Sequence, residues 1–265
     1  MSLNNIKFIA TDMDGTLLNN EGALPPNFFE VFEQLEHRNI IFAAASGRQY
    51  YSLLNTFSLI KDRMMFIAEN GTLVMHQGKE LYSCTMDKNS IHRIIKQARL
   101  IEGADIVLCG KNSAYIETDC PISREEIKKY YHRCESVEDL LLVEDEFIKV
   151  AICHFDGTEE LVYPSMNNEF SVDHKVVVSG KVWLDIMNIS ASKGDAIKFL
   201  QETFDFSFEQ TMSFGDYLND FEMLQASFHS YAVENAHHEI KKIARFSAPS
   251  NVEDGVLKII RAHLA

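Results

Sequence analysis

The chain has 265 residues, 46% of them hydrophobic, five prolines and a formal net charge of −14. A chain of that length and make-up folds as one large or two moderate domains, which excludes a disordered or low-complexity protein. No apolar run approaches the roughly 20 residues that cross a bilayer, and the acidic balance repels nucleic acid and acidic membranes, so neither is an expected partner.

Residues 1–5 are too short and too polar for a signal peptide, and the expected location is the cytoplasm. Cys84, Cys109, Cys120, Cys134 and Cys153 are odd in number and form no Cys-x-x-Cys pair. They read as reduced structural thiols rather than a disulfide framework or a zinc site.

In chain order, the apolar run Ile6–Thr11 reads as a buried strand. Pro25-Pro26 opens a helix whose apolar face carries Phe28, Phe32 and Leu35. A second buried run, Ile40–Ala45, ends at Ser46-Gly47-Arg48, and a helix follows from about Tyr50. Strand Met65–Ala68 meets a turn at Glu69-Asn70-Gly71 before Leu73-Val74. From about Ser83 the pattern changes. Helical stretches Lys88–Leu100 and Arg124–His132 separate strands Ile106–Cys109, Ile148–Cys153 and Val182–Met187. This region is read as a separate α/β unit inserted into the first. The last third returns to helix–strand alternation: helix Lys193–Phe204, strand Thr211–Phe214 followed by Gly215-Asp216, strand Tyr231–Val233, and a terminal helix Asp254–Leu264. Repeated βα units imply an α/β fold with a mostly parallel sheet and helices on both faces. The expected division is 1–83 and 188–265 for the core and 84–187 for the insert.

Asp12 and Asp14 stand two residues apart at the end of the first strand, so their side chains point the same way from an extended backbone. In open α/β sheets that edge is where ligands bind. Two clustered carboxylates repel unless a cation or a proton lies between them. Ser46 ends the second buried strand, Lys193 opens a helix after Ser190-Ala191-Ser192, and Asp216 and Asp220 follow strand Thr211–Phe214. In a parallel sheet these exits share one edge. The inventory fits phosphoryl transfer, which needs a nucleophile, a cation and donors for the equatorial oxygens. Asp12 can attack phosphorus. Mg²⁺ held by Asp12 and Asp216 would shield the approach of one anion to another. Ser46 donates to a phosphoryl oxygen and Lys193 neutralises accumulated charge. Asp14 remains to protonate the departing alkoxide and then to deprotonate water. Taken singly, Ser46 and Asp220 could be helix caps, and Arg48 a surface or insert-facing side chain.

Asp12-Met13-Asp14-Gly15-Thr16, Ser46-Gly47-Arg48, Lys193 and Gly215-Asp216-Tyr217-Leu218-Asn219-Asp220 resemble the four ordered motifs of the haloacid dehalogenase superfamily. The branch they resemble is the Cof-type hydrolases, with an insert of the IIB cap type between the second and third motifs. The resemblance extends to Ala68–Gly71, Glu234-Asn235-Ala236 and Ser250–Val256, and so covers nearly the whole chain. Ser46–Tyr51 and Cys109–Tyr115 are similar to bacterial sugar phosphatases. The resemblance implies a Rossmann-like parallel-sheet core under a mobile α/β cap, and Mg²⁺-dependent hydrolysis of small phosphomonoesters, sugar phosphates above all. It implies Asp12 as nucleophile and Asp14 as acid/base. Asp12, the Asp14 backbone carbonyl and Asp216 would bind the metal, with Asp220 behind them. Ser46, Gly47, Lys193 and Asn219 would hold the phosphate, with Arg48 in the substrate-binding set.

Two alternatives use the same Asp12. A sugar phosphomutase would pass the phosphoryl group to a second hydroxyl. A phospho-acceptor signalling domain would hold it without turnover, but it needs neither an acid at Asp14 nor an insert of this size. Within the insert, Asn112, Ser113 and Tyr115 are candidates for facing the site, whereas Tyr130 and Tyr131 are assigned to packing. The sequence carries no signature of oligomeric state.

Overall fold

Strand β1 (Phe8–Thr11) is buried along its whole length and lies at the middle of an eight-stranded sheet. The computed structural model describes residues 5–264, so the reading of residues 1–5 falls, Asn5 apart, outside the described chain. β2 (Ile41–Ala45) and β3 (Met65–Ala68) extend the sheet in parallel on one side. β4 (Leu73–His76) and β5 (Lys79–Ser83) add to β3 as antiparallel strands.

The chain then builds a second sheet from β6 (Asp105–Gly110), β7 (Ala114–Ile116), β8 (Cys134–Ser136), β9 (Phe147–Cys153), β10 (His174–Gly180) and β11 (Trp183–Asn188), in the order β10-β11-β9-β6-β7-β8. It returns to the first sheet with β12 (Thr211–Gly215), β13 (His229–Val233) and β14 (Phe246–Ala248), all parallel on the other side of β1. The first sheet is therefore the parallel one the βα alternation implies. The second is almost wholly antiparallel, with only β7 and β8 parallel.

Three strands of the second sheet, β7, β8 and β10, and two helices, Thr158–Leu161 and Tyr163–Phe170, have no counterpart in the sequence reading. β7 and β8 are three residues each and too short to show a period. β10 carries Lys175, Ser179 and Gly180 among its valines, which blurs its alternation.

The second sheet divides its side chains by parity, as a pleated sheet must. Ile106, Leu108, Val150, Ile152, Leu184 and Ile186 pack with Ile91, Ile94, Ile95, Met166 and Phe170 of its own helices. Val107, Cys109, Ala151, Cys153 and Trp183 face the other way and are continuous with the core of the first sheet. The second sheet thus caps the first. Polar contacts fix the join: the Gln49 side chain donates to the Arg133 carbonyl at 2.8 Å and accepts from the Arg133 N–H at 2.8 Å, and Ser52 Oγ donates to the Tyr130 carbonyl at 2.7 Å. Among the described residues no helix is long and apolar enough to cross a membrane. All five cysteines are free thiols.

Candidate active site

β1 has β12 on one side and β2 on the other, in registers that place Thr11 beside Phe214 and Ala44. The next residues of the three strands therefore emerge together. Asp12 follows β1, Ser46 follows β2 and Asp216 follows β12. The Asp12 N–H continues the ladder by donating to the Phe214 carbonyl at 2.9 Å. Beyond Asp12 the chain turns sharply. Gly15 has φ +83°, and a Cβ there would lie 2.5 Å from Asp216 Oδ2. Glycine is needed at that point both for the left-handed backbone and for the close approach. Thr16 Oγ1 donates to Asp216 Oδ1 at 2.9 Å, and Asn235 Nδ2 holds the Gly15 carbonyl at 2.7 Å.

Lys193 arrives from the side. Ser192 caps its helix, Lys193–Phe204, by accepting the Asp195 N–H at 2.9 Å. A cation in a first helical turn opposes the helix dipole. Here two carboxylates compensate: Lys193 Nζ donates to Asp12 Oδ1 and Asp220 Oδ1, each at 2.6 Å, with the lysine fully buried. Burial works against the ammonium, but Asp12 and Asp220 outweigh it and hold its pKa above the usual lysine value. Burial, with Lys193 opposing it and Asp220 adding to it, pushes the Asp12 carboxyl up to about 7. Asp216 is also raised well above its ordinary value, by burial and then by the charges of Asp12 and Asp220.

Carboxylate oxygens of Asp12, Asp216 and Asp220 come within 4.8 Å of one another. A divalent cation would relieve the crowding that raises Asp12 and Asp216, and all the donors are hard oxygens of the kind divalent cations such as Mg²⁺ take. The residues therefore fit a divalent metal. Asp220 closes the capping box of the short turn Leu218–Asp220, though it does not cap the α-helix Phe221–Gln225. Its Oδ2 accepts the N–H groups of Asp216 at 2.9 Å and Tyr217 at 3.2 Å, bracing the loop that carries Asp216.

Asp12, Asp14, Ser46, Gly47, Arg48, Asp216 and Asn219 line one cavity of about 320 Å³ beneath the cap. Ser46 is not a helix cap either, because the helix after β2 opens only at Tyr50 behind Gln49. Its Oγ accepts the Arg48 N–H at 3.1 Å. Asn219 Nδ2 donates to Asn70 Oδ1 at 2.9 Å. Arg48 is no surface residue. Its guanidinium grips Asp14 with two bonds, Nε to Oδ2 at 2.7 Å and Nη2 to Oδ1 at 2.5 Å, and lies 5.6 Å from the ring centre of Tyr130 in the cap. Burial opposes its charge, and Asp14 raises its pKa nonetheless.

The cap wall differs from the sequence reading. Asn112 and Tyr115 bond to Asp145, Ser113 is buried on its own strand connection, and none of the three reaches the cavity. The wall is made instead by Glu126, Tyr130, Tyr131, Lys149, the segment Ser179–Trp183 and Asp185. Tyr130 and Tyr131, assigned to packing, stand at the site because the helix Pro121–Tyr130 ends there, against Gln49 and Ser52. Lys149 and Asp185 did leave a signal. Each is the single charge inside an otherwise apolar buried strand, Phe147–Cys153 and Trp183–Asn188, and charges so placed must be paired.

A sequence model of the haloacid dehalogenase-like hydrolases matches residues 9–260. The chain belongs to that family, and within it to the phosphatases. It is 31% identical, over 96% of its own length and 95% of the relative's, to the 5-amino-6-(5-phospho-D-ribitylamino)uracil phosphatase YbjI of Escherichia coli. The solved structure of SMU.1108c from Streptococcus mutans superposes with a TM-score of 0.92 at 28% identity, covering 98% of this chain and 99% of that one. BT4131, a HAD subclass IIB sugar phosphatase, shares the fold with a TM-score of 0.81 at 20% identity, over 97% and 98% of the two chains.

Proposed function

We propose that the protein is a Mg²⁺-dependent, cytoplasmic phosphomonoesterase for small sugar or polyol phosphates, with its hydrolytic core in 1–83 and 188–265 and its substrate-screening cap in 84–187. The observation that carries this is the meeting of Asp12, Asp14, Ser46 and Asp216 at one cavity, with Lys193 buried behind Asp12. Asp12, Asp216 and the Asp14 backbone carbonyl would hold Mg²⁺, with Asp220 behind them. The ion would supply charge shielding between the carboxylate and the phosphate dianion.

Asp12 attacks phosphorus through a carboxylate oxygen and forms an aspartyl phosphate as the ester oxygen departs. Lys193 holds the other oxygen in place and, by opposing the effect of burial, favours the ionised carboxylate that attacks. The Ser46 hydroxyl and the Gly47 N–H, with Asn219, receive the phosphoryl oxygens. Asp14 donates a proton to the leaving alkoxide, then takes one from the water that splits the acyl phosphate. Arg48 holds both Asp14 oxygens in the resting site and is placed to turn to the phosphate or hydroxyls of a substrate instead. Lys181 and Arg48 stand in the same cavity as Asp12, Asp14, Glu126 and Asp216, so an anionic ligand needs the charge of the metal as well.

A second substrate reading is favoured by the aromatic wall. Tyr130 and Trp183 meet edge to face at 5.5 Å beside the cavity, which suits a flat ring carried on a polyol phosphate, such as the substrate of the E. coli relative. The test is phosphate release from a panel of sugar phosphates, p-nitrophenyl phosphate and 5-amino-6-(5-phospho-D-ribitylamino)uracil, with Mg²⁺ and with EDTA. Metal-dependent release concentrated on one group selects between the two readings. Isomerised sugar phosphate in place of free phosphate would convert the assignment to a mutase. A stable phosphoprotein with no turnover would convert it to a phospho-acceptor domain.

A further inference from the structure

Beside the reacting groups, at the join of the two sheets, lies a second set of buried charges that the phosphoryl chemistry does not use. Lys149 comes from β9 and Asp185 from β11, diagonal neighbours on the face of the cap sheet that meets the core. Glu69 comes from the turn after β3 in the core. All three are at most 2% exposed. Lys149 Nζ lies 2.6 Å from Glu69 Oε2 and 3.6 Å from Asp185 Oδ1, and donates to the Gly47 carbonyl at 3.0 Å. Asp185 Oδ2 accepts from Asn70 Nδ2, and Asn70 Oδ1 accepts from Asn219.

The turn that supplies Glu69 and Asn70 is wired to the phosphate loop. The Glu69 N–H donates to the Arg48 carbonyl at 3.1 Å and the Asn70 N–H to the Ser46 carbonyl at 2.9 Å. Both residues are held at positive φ, +50° and +58°, a conformation that persists only where the surroundings impose it.

Such a cluster is a poor source of stability, because three desolvated charges gain little over apolar groups of the same volume. It is a good source of register, because only one placement of the cap satisfies it. One cation serves two carboxylates, so its removal would leave like charges facing each other out of water. Burial raises the Glu69 carboxyl against the pull of Lys149, which marks the lysine as the group that keeps the set together.

Building on the phosphatase reading, we propose that Lys149 is a positioning residue: by closing Glu69 and Asp185 into one buried cluster it seats the cap on the core, and by holding the Gly47 carbonyl it sets the Ser46-Gly47-Arg48 loop for phosphate only when the cap is seated. A carbonyl oxygen at an anion site repels the anion, and Lys149 both neutralises it and fixes its peptide. Asn70 passes the same state to Asn219.

Trp183 is the chain's only tryptophan; it is 7% exposed and forms part of the cavity wall, so its quenching by acrylamide reports seating without metal, substrate or turnover. Binding of inorganic phosphate reports the loop. Lys149→Met is expected to raise Trp183 quenching and to weaken phosphate binding by roughly tenfold or more, the scale of stranding the partners of a buried ion. Glu69→Gln should show a smaller change in the same direction. The double variant Lys149→Met/Glu69→Gln should recover part of both losses, because it removes one of the stranded carboxylates; a merely structural role predicts additive damage instead. Wild-type quenching and phosphate affinity in Lys149→Met, or a double variant worse than Lys149→Met, overturns the proposal. Should Lys149→Met fail to fold, Glu69→Gln decides: wild-type quenching and affinity there overturn it. A wild-type protein that binds phosphate and shows this order but hydrolyses no ester would sink the phosphatase reading and leave Lys149 in its role. An active wild type without the order would do the reverse.

Discussion

At the scale of single residues, the site places two aspartates two positions apart in opposite surroundings. Asp12 is sealed against Lys193 and Asp220, while Asp14 faces the cavity in the grip of Arg48. The first surrounding suits a nucleophile kept dry and oriented, the second an acid that must exchange protons with a ligand. Asp12→Asn should lower phosphate release by roughly four orders of magnitude or more, the scale of losing a nucleophile, while circular dichroism stays unchanged. Asp14→Asn should lower kcat on sugar phosphates by about 10²–10⁴ but spare the first turnover of p-nitrophenyl phosphate, whose leaving group needs no proton, so that a burst of p-nitrophenolate precedes a stalled phosphoenzyme. Equal losses in the first turnover of both esters would count against Asp14 as the acid. Asp12, Ser46 and Asp216 could be read from the chain because each directly follows a buried strand. Arg48's hold on Asp14 could not, since it joins residues 34 positions apart through side chains alone.

At the scale of elements, the turn Glu69-Asn70-Gly71 joins the core sheet to the phosphate loop and the cap. It closes the β3–β4 hairpin, which its sequence announces, and it also packs on the mouth of the Lys193 helix. Gly71 has φ +92°, and a Cβ there would lie 2.2 Å from the Ser192 carbonyl oxygen. Gly71→Ala should therefore destabilise the protein by about 2–4 kcal/mol, the combined scale of backbone strain and a backbone clash, read as a lower urea midpoint. It should also displace Lys193 and lower kcat. A loss within a few tenths of a kcal/mol would show that the turn gives way freely. Ser192→Ala removes only the cap of that helix, and about 1 kcal/mol is expected. Two further segments, around Asn235 and Asn251, brace the loop that follows β1. Asn235 holds the Gly15 carbonyl, and Asn251 donates to the Leu18 carbonyl at 2.8 Å.

At the scale of the molecule, the acidic cluster links metal, proton and stability. The Asp12 carboxyl stands at about 7 in the folded, metal-free protein against 3.8 for an ordinary aspartate. Between those values the folded state binds more protons than the unfolded one, so metal-free stability falls as pH rises through that window. Mg²⁺ competes with the proton for the same oxygens. Its thermal stabilisation should accordingly be small near pH 5 and larger above pH 7, measured as the shift in Tm with and without the ion. Asp12→Asn should flatten the metal-free slope. A Tm shift independent of pH would contradict the placement of the ion at this cluster.

The order of strands and helices in the core, and the placing of Asp12, Ser46, Lys193 and Asp216 at their ends, follow from apolar runs and the residues that stop them. Both are local properties, and a parallel sheet turns strand ends into neighbours without further instruction. The cap was legible only in part: its longer strands and two of its helices show in the sequence, and the rest does not. Its short strands show no period, and its contribution to the cavity, Tyr130, Lys149, Trp183 and Asp185, depends on which face of a second sheet meets the first. That choice is made by packing between segments about 100 residues apart, such as Lys149 and Gly47. The chemistry was therefore legible in short stretches of chain, whereas the cavity wall, the Arg48–Asp14 clamp and the buried lysine cluster exist only where distant surfaces close on each other and leave charges no partner but one another.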